Sequence, residues 1–545
     1  MHALRSAVLC GILRRKDDEE ETLVTHENLL SVVRNVIAGK PDGVAYRTLA
    51  RDWTMREVGE ASDRVAQGLK ALGIGPGDRV AALTKHTVEC ILLTLAACKV
   101  GAVFMPVNWR LAAPEVEFIV NNGKARFLMV DAAFVPVVSS GTYPDIGLTV
   151  ATDRAVGLES FHDWYARFEP LEDHHVAVPG ETALQLYSSG TTGLPKGVEL
   201  THANLLLPRS LFRDVWGFQG GKSVMFNALP CFHIAGMELA LLTLLLGGET
   251  VLQPDFDPQK ILPAIGEHRI THMFLVPAMI MVLVNTPGAD QADYSSLERI
   301  AYGAAPISEK VLLEAMRIFG CGFLQVYGLT ETTGAVTFLP AEDHAPNGPC
   351  AHLLRSAGKA LPGVELRIVD ASGKVVAGEA VGEVWIRTRQ NMKGYWNNPK
   401  ATRDVFPEGQ PEDGGWFRSG DAGFLREGYL YIHDRIKDMI ISGGENIYPA
   451  EVENALMKHP AVADVAVIGV PDEKWGEAVK ACVVLRPAAA ADAASIIAFA
   501  REQIAHYKCP KSIDFLPALP RNPSGKLLKY QLRKPYWEGL ARKVN

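Results

Sequence analysis

The chain has 545 residues, of which 48% are apolar and 21% charged, and a formal net charge of −7. This length exceeds what one hydrophobic core supports and the composition argues against disorder, so two or more folded domains are expected. The acidic balance excludes the basic footprint of a nucleic-acid binder; anionic substrates must be drawn by local positive sites.

The opening stretch, MHALRSAVLCGILRRKDDEEE, has arginines and a brief apolar run. Its acidic block Asp17–Glu21 and its lack of a small-residue cleavage site speak against a secretory signal. A ragged start is the first reading, and a mitochondrial presequence ending near Lys16 the alternative. Ala61 to Leu72 places Val65, Leu69 and Leu72 at helical spacing, and a Gly-Ile-Gly-Pro-Gly-Asp turn then leads into the strand-like Arg79 to Leu83. Val88 to Val100 reads as a buried helix, Phe127 to Asp131 as a short strand, His174-His175 as a surface loop and Ala183 to Tyr187 as a strand. Ile234 to Gly248 is strongly apolar but short for a membrane span and interrupted by Glu238, so a buried helix is expected and no transmembrane segment. Strands alternating with helices imply parallel sheets with helices on both faces, and ligands at the carboxyl ends of the strands.

From Gly363 to Arg387 the texture changes to short alternating strands and tight turns, which predicts a small β subdomain; Tyr429 to Ile432 follows Glu427-Gly428 as a hairpin arm. After the polar bridge Asp434 to Lys437 a new α/β pattern begins: a helix from Pro449 to His459, strands Val462 to Val470 and Val479 to Leu485, a turn at Ala488 to Ala491, and a helix from Ala493 to Ala505. The fold class is α/β: a large N-terminal domain of doubly wound sheets with the β subdomain (1–434), a hinge (435–438) and a smaller α+β C-terminal domain (439–545). Eight cysteines (Cys10, Cys90, Cys98, Cys231, Cys321, Cys350, Cys482, Cys509) are scattered without a C-x-x-C pair, which opposes zinc and disulfide frameworks and favours a reducing, cytoplasmic home.

The chemistry concentrates in YSSGTTGLPKG, Tyr187 to Gly197. Ser188, Ser189, Thr191 and Thr192 offer hydroxyl donors, while Gly190, Gly193 and Gly197 let consecutive amides turn toward one anion. Lys196 adds a mobile point charge suited to phosphate. The Walker template fails, because Pro195 precedes the lysine and Gly197 follows it, so the loop reads as a pyrophosphate clamp of another kind, against the bland alternative of a plain turn.

Five further motifs follow: Gly303-Ala304-Ala305-Pro306, Tyr327-Gly328-Leu329-Thr330-Glu331, Ser419-Gly420-Asp421, Asp434 to Asp438 and Pro523-Ser524-Gly525-Lys526. In this order and at these separations the set resembles the acyl-adenylate-forming superfamily of acyl-CoA synthetases, peptide-synthetase adenylation domains and beetle luciferases, over about Leu29 to Leu532. The resemblance implies ATP, Mg²⁺ and coenzyme A, a small carboxylic acid as substrate, and a C-terminal domain that moves. It places the bridge between carboxylate and α-phosphate on Lys526, the magnesium ligand on Glu331, an α-phosphate hydrogen bond on Thr330, adenine stacking on Tyr327, the ribose on Asp421 with Arg435, and the hinge on Lys437. A cation such as Lys526 is the minimum the reaction needs, since two unit charges about 4 Å apart repel by roughly 4 kcal/mol near a protein surface. One hard oxygen ligand, with waters and phosphate oxygens, is what Mg²⁺ wants.

By the same resemblance His233 gates the passage between nucleotide and acyl pocket, where amino-acid-activating relatives usually carry aspartate, so an amino acid substrate is disfavoured. The acyl pocket falls on Ile234, Gly236, Met237, Val276, Pro277, Gly303, Gly328, Thr333 and Val336; many are small, which suggests an open pocket, and no buried charge is evident among them. Ser442, Gly443, Gly444 and Glu445 would line the thiol tunnel, and Trp475 with Tyr507 to Lys511, Lys508 included, would meet coenzyme A, although Cys509 stands where some relatives carry arginine. The expected activity is an AMP-forming acyl-CoA synthetase for a medium- or long-chain fatty acid, with an aryl acid such as a cinnamate or benzoate as runner-up. A carrier-protein-loading enzyme, a luciferase-like oxygenase and a non-catalytic nucleotide binder remain open readings, as does a homodimer. The three chemistry-bearing residues Lys526, Glu331 and Asp421 together weigh against a pure binder.

Overall fold

The computed structural model describes residues 28–538 except 156, 189–194, 306, 412–413, 436–437, 443–444, 473, 488 and 522–526; at 434, 435, 445 and 446 it describes the backbone alone. The readings made on the first 27 residues therefore lie outside the described residues.

A seven-stranded sheet holds five neighbouring parallel strands, Thr182–Ser188, Val103–Pro106, Arg79–Leu83, Ala125–Val130 and Leu148–Ala151. Lys196–Thr201 returns antiparallel to Thr182–Ser188, and Gly394–Tyr395 pairs with it in turn. All five residues of Arg79–Leu83 are buried, as a parallel strand covered on both faces requires. Every residue of the helix Val88–Val100 but Glu89 is buried, because the helix is sandwiched in the core against the helix Met55–Ala71.

A second sheet of fourteen strands contains a parallel block of Val44–Arg47, Glu249–Leu252, Val224–Asn227, His272–Leu275, Arg299–Gly303 and Gly322–Leu329. The strands of the expected β subdomain are Glu365–Val369, Gly382–Arg387, Trp416–Arg426 and Tyr429–Arg435. They are not detached: hydrogen bonds run on from Tyr429–Arg435 through Lys359–Ala360 to Gly334–Leu339 and Gly322–Leu329. The hairpin turns at Glu427 and Gly428, both with positive φ (53° and 81°), the geometry whose twist matches the flanking strands.

A third, five-stranded sheet has its own apolar core of Ile440, Ile447, Val452, Val465, Val479, Val483 and Ile496. Its helices are Pro449–Leu456, Ala493–Gln503 and Lys529–Trp537, and its long hairpin is Val462–Asp472 with Gly476–Leu485.

Three expectations change. The helix expected from Ala61 begins at Met55, because Thr54 and Glu57 form a reciprocal capping box (Glu57 N–H to Thr54 Oγ1 3.2 Å, Thr54 N–H to Glu57 Oε2 2.8 Å); Leu72 lies past its end, 36% exposed. His174 and His175 are part-buried, not free on the surface, and their rings bond Asp63 and Glu181 at 2.7 Å. Asp421 lies within the strand Trp416–Arg426, not in a turn; the positive φ of Gly420 (72°) kinks the chain just before it.

Candidate active site

Three of the motifs begin where a parallel strand ends. Thr182–Ser188 runs up to the Ser/Thr/Gly motif, Arg299–Gly303 into Ala304-Ala305, and Gly322–Leu329 into a tight turn at Thr330–Thr332. These carboxyl ends are where open α/β sheets gather ligands. Ala304 is exposed and held at φ +66°, a left-handed conformation that costs a residue with a Cβ on the order of 1 kcal/mol.

The Thr330–Thr332 turn is fixed by the Leu329 N–H donating to Thr332 Oγ1 at 2.9 Å and by the Glu331 carbonyl accepting from Met392 N–H at 2.7 Å. Glu331 is thereby aimed at the other sheet. Its Oε1 accepts from Ser188 Oγ at 2.9 Å and from the Tyr395 hydroxyl at 3.1 Å, while Oε2 has no protein partner among the described residues. Lys196 opens the returning strand Lys196–Thr201, with Nζ 5.0 Å from the centre of the Tyr395 ring. Across the site the Tyr327 hydroxyl donates to Asp421 Oδ2 at 2.7 Å, and Asp421 is 5% exposed. Strand pairing sets Asp421 opposite Arg435. Four sequence-chosen side chains, Ser188, Tyr327, Glu331 and Asp421, thus join in two hydrogen-bonded groups, the first of which spans both sheets, while Lys196 lies near the Tyr395 ring.

Among the described residues no cluster of three or more His, Cys, Asp or Glu could cage a metal ion. A single carboxylate with one open oxygen fits Mg²⁺ delivered with phosphates, since that ion keeps its waters and takes one or two protein carboxylates.

The acyl side is drier. His233 precedes the helix Ile234–Leu245, its ring packed on Phe232 with centroids 4.6 Å apart. Its Nε2 is fully enclosed without a hydrogen-bond partner among the described residues, and burial, aided by the Arg110 charge, pushes its pKa down to about 4. The ring is neutral at physiological pH. Met237, Val276, Thr333 and Val336 are buried around this end of the sheet, with Ile234 and Pro277 half-buried.

The small residues there do not make space. A Cβ on Gly236 would fall 2.2 Å from the Pro230 carbonyl oxygen, one on Gly303 2.3 Å from that of Val326, and one on Gly328 1.8 Å from that of Gly334. These glycines permit close backbone approach, so the open pocket inferred from their size is corrected. The Thr333 hydroxyl is also engaged, donating to the Gln390 carbonyl at 2.7 Å. A buried carboxyl is present after all: Glu238, 8% exposed, whose pKa burial alone raises to about 8.

In the third sheet Ser442 pairs with Glu445 and Gly476, beside Trp475, which is 42% exposed. Lys508 is not free to meet an anion: Nζ sits 2.7 and 2.8 Å from the Glu451 carboxylate oxygens. Cys509 is buried (2% exposed) in the apolar core and presents no surface, which corrects its place beside coenzyme A. Ser189, Gly190, Thr191, Thr192, Gly193, Lys437, Gly443, Gly444 and Lys526, and the side chains of Arg435 and Glu445, lie outside the described residues.

Sequence reasoning missed Tyr395 and Glu238. The first had a signal in the aromatic pair of Lys393-Gly394-Tyr395-Trp396, the second in a lone acid inside an apolar helix.

The family profile of the AMP-binding enzymes matches residues 33–396, and that of the AMP-binding enzyme C-terminal domain residues 451–526. The chain is 38% identical to a fatty acid–[acyl-carrier-protein] ligase, ScoC, of Streptomyces coeruleorubidus, over 93% of this chain and 96% of that one. It is 36% identical to the long-chain-fatty-acid–CoA ligase FadD13 of Mycobacterium tuberculosis, over 89% and 93%. The crystal structure of the anthranilate CoA ligase AuaEII with anthranoyl-AMP superposes with a TM-score of 0.86 at 27% identity, covering 94% of this chain and 98% of that one. With matching profiles over both parts and two sheets that bring the motif residues together, the chain belongs to the AMP-binding enzymes of the adenylate-forming superfamily and is an acid–thiol ligase.

Proposed function

We propose that the enzyme activates a medium- or long-chain fatty acid with ATP as an acyl-adenylate, releasing pyrophosphate, and then passes the acyl group to the thiol of coenzyme A, releasing AMP. The observation that carries this reading is the pair of hydrogen-bonded groups, Glu331 with Ser188 and Tyr395, and Tyr327 with Asp421. Glu331 with its open oxygen would hold Mg²⁺, which would neutralise phosphate charge. Asp421 offers a carboxylate to the ribose hydroxyls, and the Tyr327 ring a face for adenine. Neutral His233 would stand between nucleotide and acyl chain and exclude water from the mixed anhydride. In the first step Lys526 would bridge carboxylate and α-phosphate. Rotation of the unit 439–545 about Lys437 would then withdraw that lysine and admit the thiol along Ser442 to Glu445. Among the described residues no helix is long and apolar enough to cross a membrane.

The fatty acid choice is supported by the two curated relatives named above, and an aryl acid by the anthranilate ligase. A second acceptor, a phosphopantetheinyl carrier protein, is favoured by one relative, the fatty acid–[acyl-carrier-protein] ligase named above. A pyrophosphate-release screen across fatty and aryl acids, followed by thioester detection with free coenzyme A and with a carrier protein, tests all of this. Pyrophosphate without any acid-dependent rise would overturn the adenylation reading, and thioester on the carrier protein alone would replace coenzyme A.

A further inference from the structure

The helix Ile234–Leu245 carries Glu238 one turn beyond Ile234, on the same flank. There its carboxyl crowds Gly334, on which a Cβ would fall 2.3 Å from Oε2 and 2.8 Å from Oε1. Gly334 opens the strand Gly334–Leu339, between Thr333 and Val336, so Glu238 lies among the residues assigned to the acyl pocket. Other enclosed acids have partners: Glu89 holds His162 at 2.9 Å, and Glu477 accepts from the Ile441 N–H at 3.3 Å. Glu238 is as enclosed as they are and has neither hydrogen-bond nor ion-pair partner among the described residues. An isolated buried carboxyl is costly, and a leucine or methionine would fill the same volume without that cost.

We propose that Glu238 is a specificity determinant of the acyl pocket, receiving a hydrogen-bond-donating group, hydroxyl or amine, carried by the acid at its far end. Rising 1.5 Å per residue, the helix sets Glu238 about 7.5 Å beyond His233, the reach of an ω-substituted short chain or a para-substituted aryl acid. This rests on the adenylation reading above and, where it holds, replaces the plain medium- or long-chain acid of that reading with a shorter, polar-tipped one. Held protonated by burial, the carboxyl both donates to and accepts from a hydroxyl; an ammonium group instead draws off its proton and pairs with the carboxylate.

The test compares pyrophosphate release by the full chain, by Glu238→Leu and by Glu238→Gln on matched acids. The two sets are hexanoate, 6-hydroxyhexanoate and 6-aminohexanoate, and cinnamate with its 4-hydroxy and 4-amino forms. In the wild type one substituted acid is expected to exceed its plain partner in kcat/KM by about 10- to 100-fold, the range of a hydrogen bond to a charged or strongly polar group. Glu238→Leu should reverse that ratio, and Glu238→Gln should keep a hydroxyl preference while losing an amine preference. Equal substituted-to-plain ratios in wild type and Glu238→Leu overturn the inference. Should the leucine variant not fold, a Glu238→Gln protein whose amino-to-hydroxyl ratio matches the wild type overturns it as well. No pyrophosphate from any acid in the wild type would instead sink the adenylation reading, and this inference with it.

Discussion

The nucleotide side and the acyl side of the site are built on opposite plans. On the nucleotide side polar groups are tied to one another before any ligand arrives: Glu331 takes two hydroxyls and Asp421 takes the Tyr327 hydroxyl. On the acyl side the Thr333 hydroxyl is engaged, but His233 Nε2 and the Glu238 carboxyl are buried without a partner among the described residues. Preorganised groups suit the side where charge would shift as pyrophosphate leaves, because reorganisation is avoided at the moment of reaction. An unpaired buried group reduces stability instead, and selects sharply for an occupant that satisfies it.

The largest effect should come where the two sides meet. Lys526→Ala is expected to lose adenylation by a factor of about 10² or more, while keeping much of the thioester step from synthetic acyl-AMP. Equal loss in both half-reactions would dissolve the proposed division of labour between the sides.

The acyl side can be read by pH. The Glu238 pKa is raised from an ordinary 4.5 to about 8, so between those values the folded state binds more protons than the unfolded. Its contribution is therefore fully present below pH 4.5 and is lost as pH rises through about 8. The buried His86, His202 and His233, each pushed down to about 4, give the opposite slope between pH 6.5 and 4 in wild type and variant alike. Denaturation of wild type and Glu238→Gln at pH 5 and pH 8.5 isolates the carboxyl: the stability difference should move toward the variant by more than about 1.4 kcal/mol, the equivalent of one pKa unit. A difference that stays constant with pH would mean that the carboxyl is solvated and the contrast between the sides false.

The nucleotide side should yield least to a single change, because its groups are multiply held. Tyr395→Phe removes one of the two donors to Glu331, about 0.5–1.5 kcal/mol, and should raise KM for magnesium-ATP by no more than about tenfold with kcat nearly unchanged. A collapse of kcat would show Tyr395 acting on the reacting atoms and not merely positioning Glu331.

Much of this was legible in the chain before it folded. Arg79–Leu83 and Val88–Val100 have the bounds their apolar runs suggest, since uninterrupted burial leaves a clear signature at both ends. Motif order located the strand ends that carry Ser188, Tyr327 and Glu331, because side-chain chemistry and glycine placement are written locally, while Asp421 proved to lie within a strand. Contacts between distant segments were not legible. The meaning of Gly236, Gly303 and Gly328 depended on which carbonyl lies opposite, the role of Lys508 on Glu451 lying 57 residues away, and the isolation of Glu238 on which strand faces its helix. Sequence determines which groups are available and in what local geometry; only the packed sheets decide which of them are satisfied and which are left waiting for a ligand, since that depends on neighbours brought together by the whole chain.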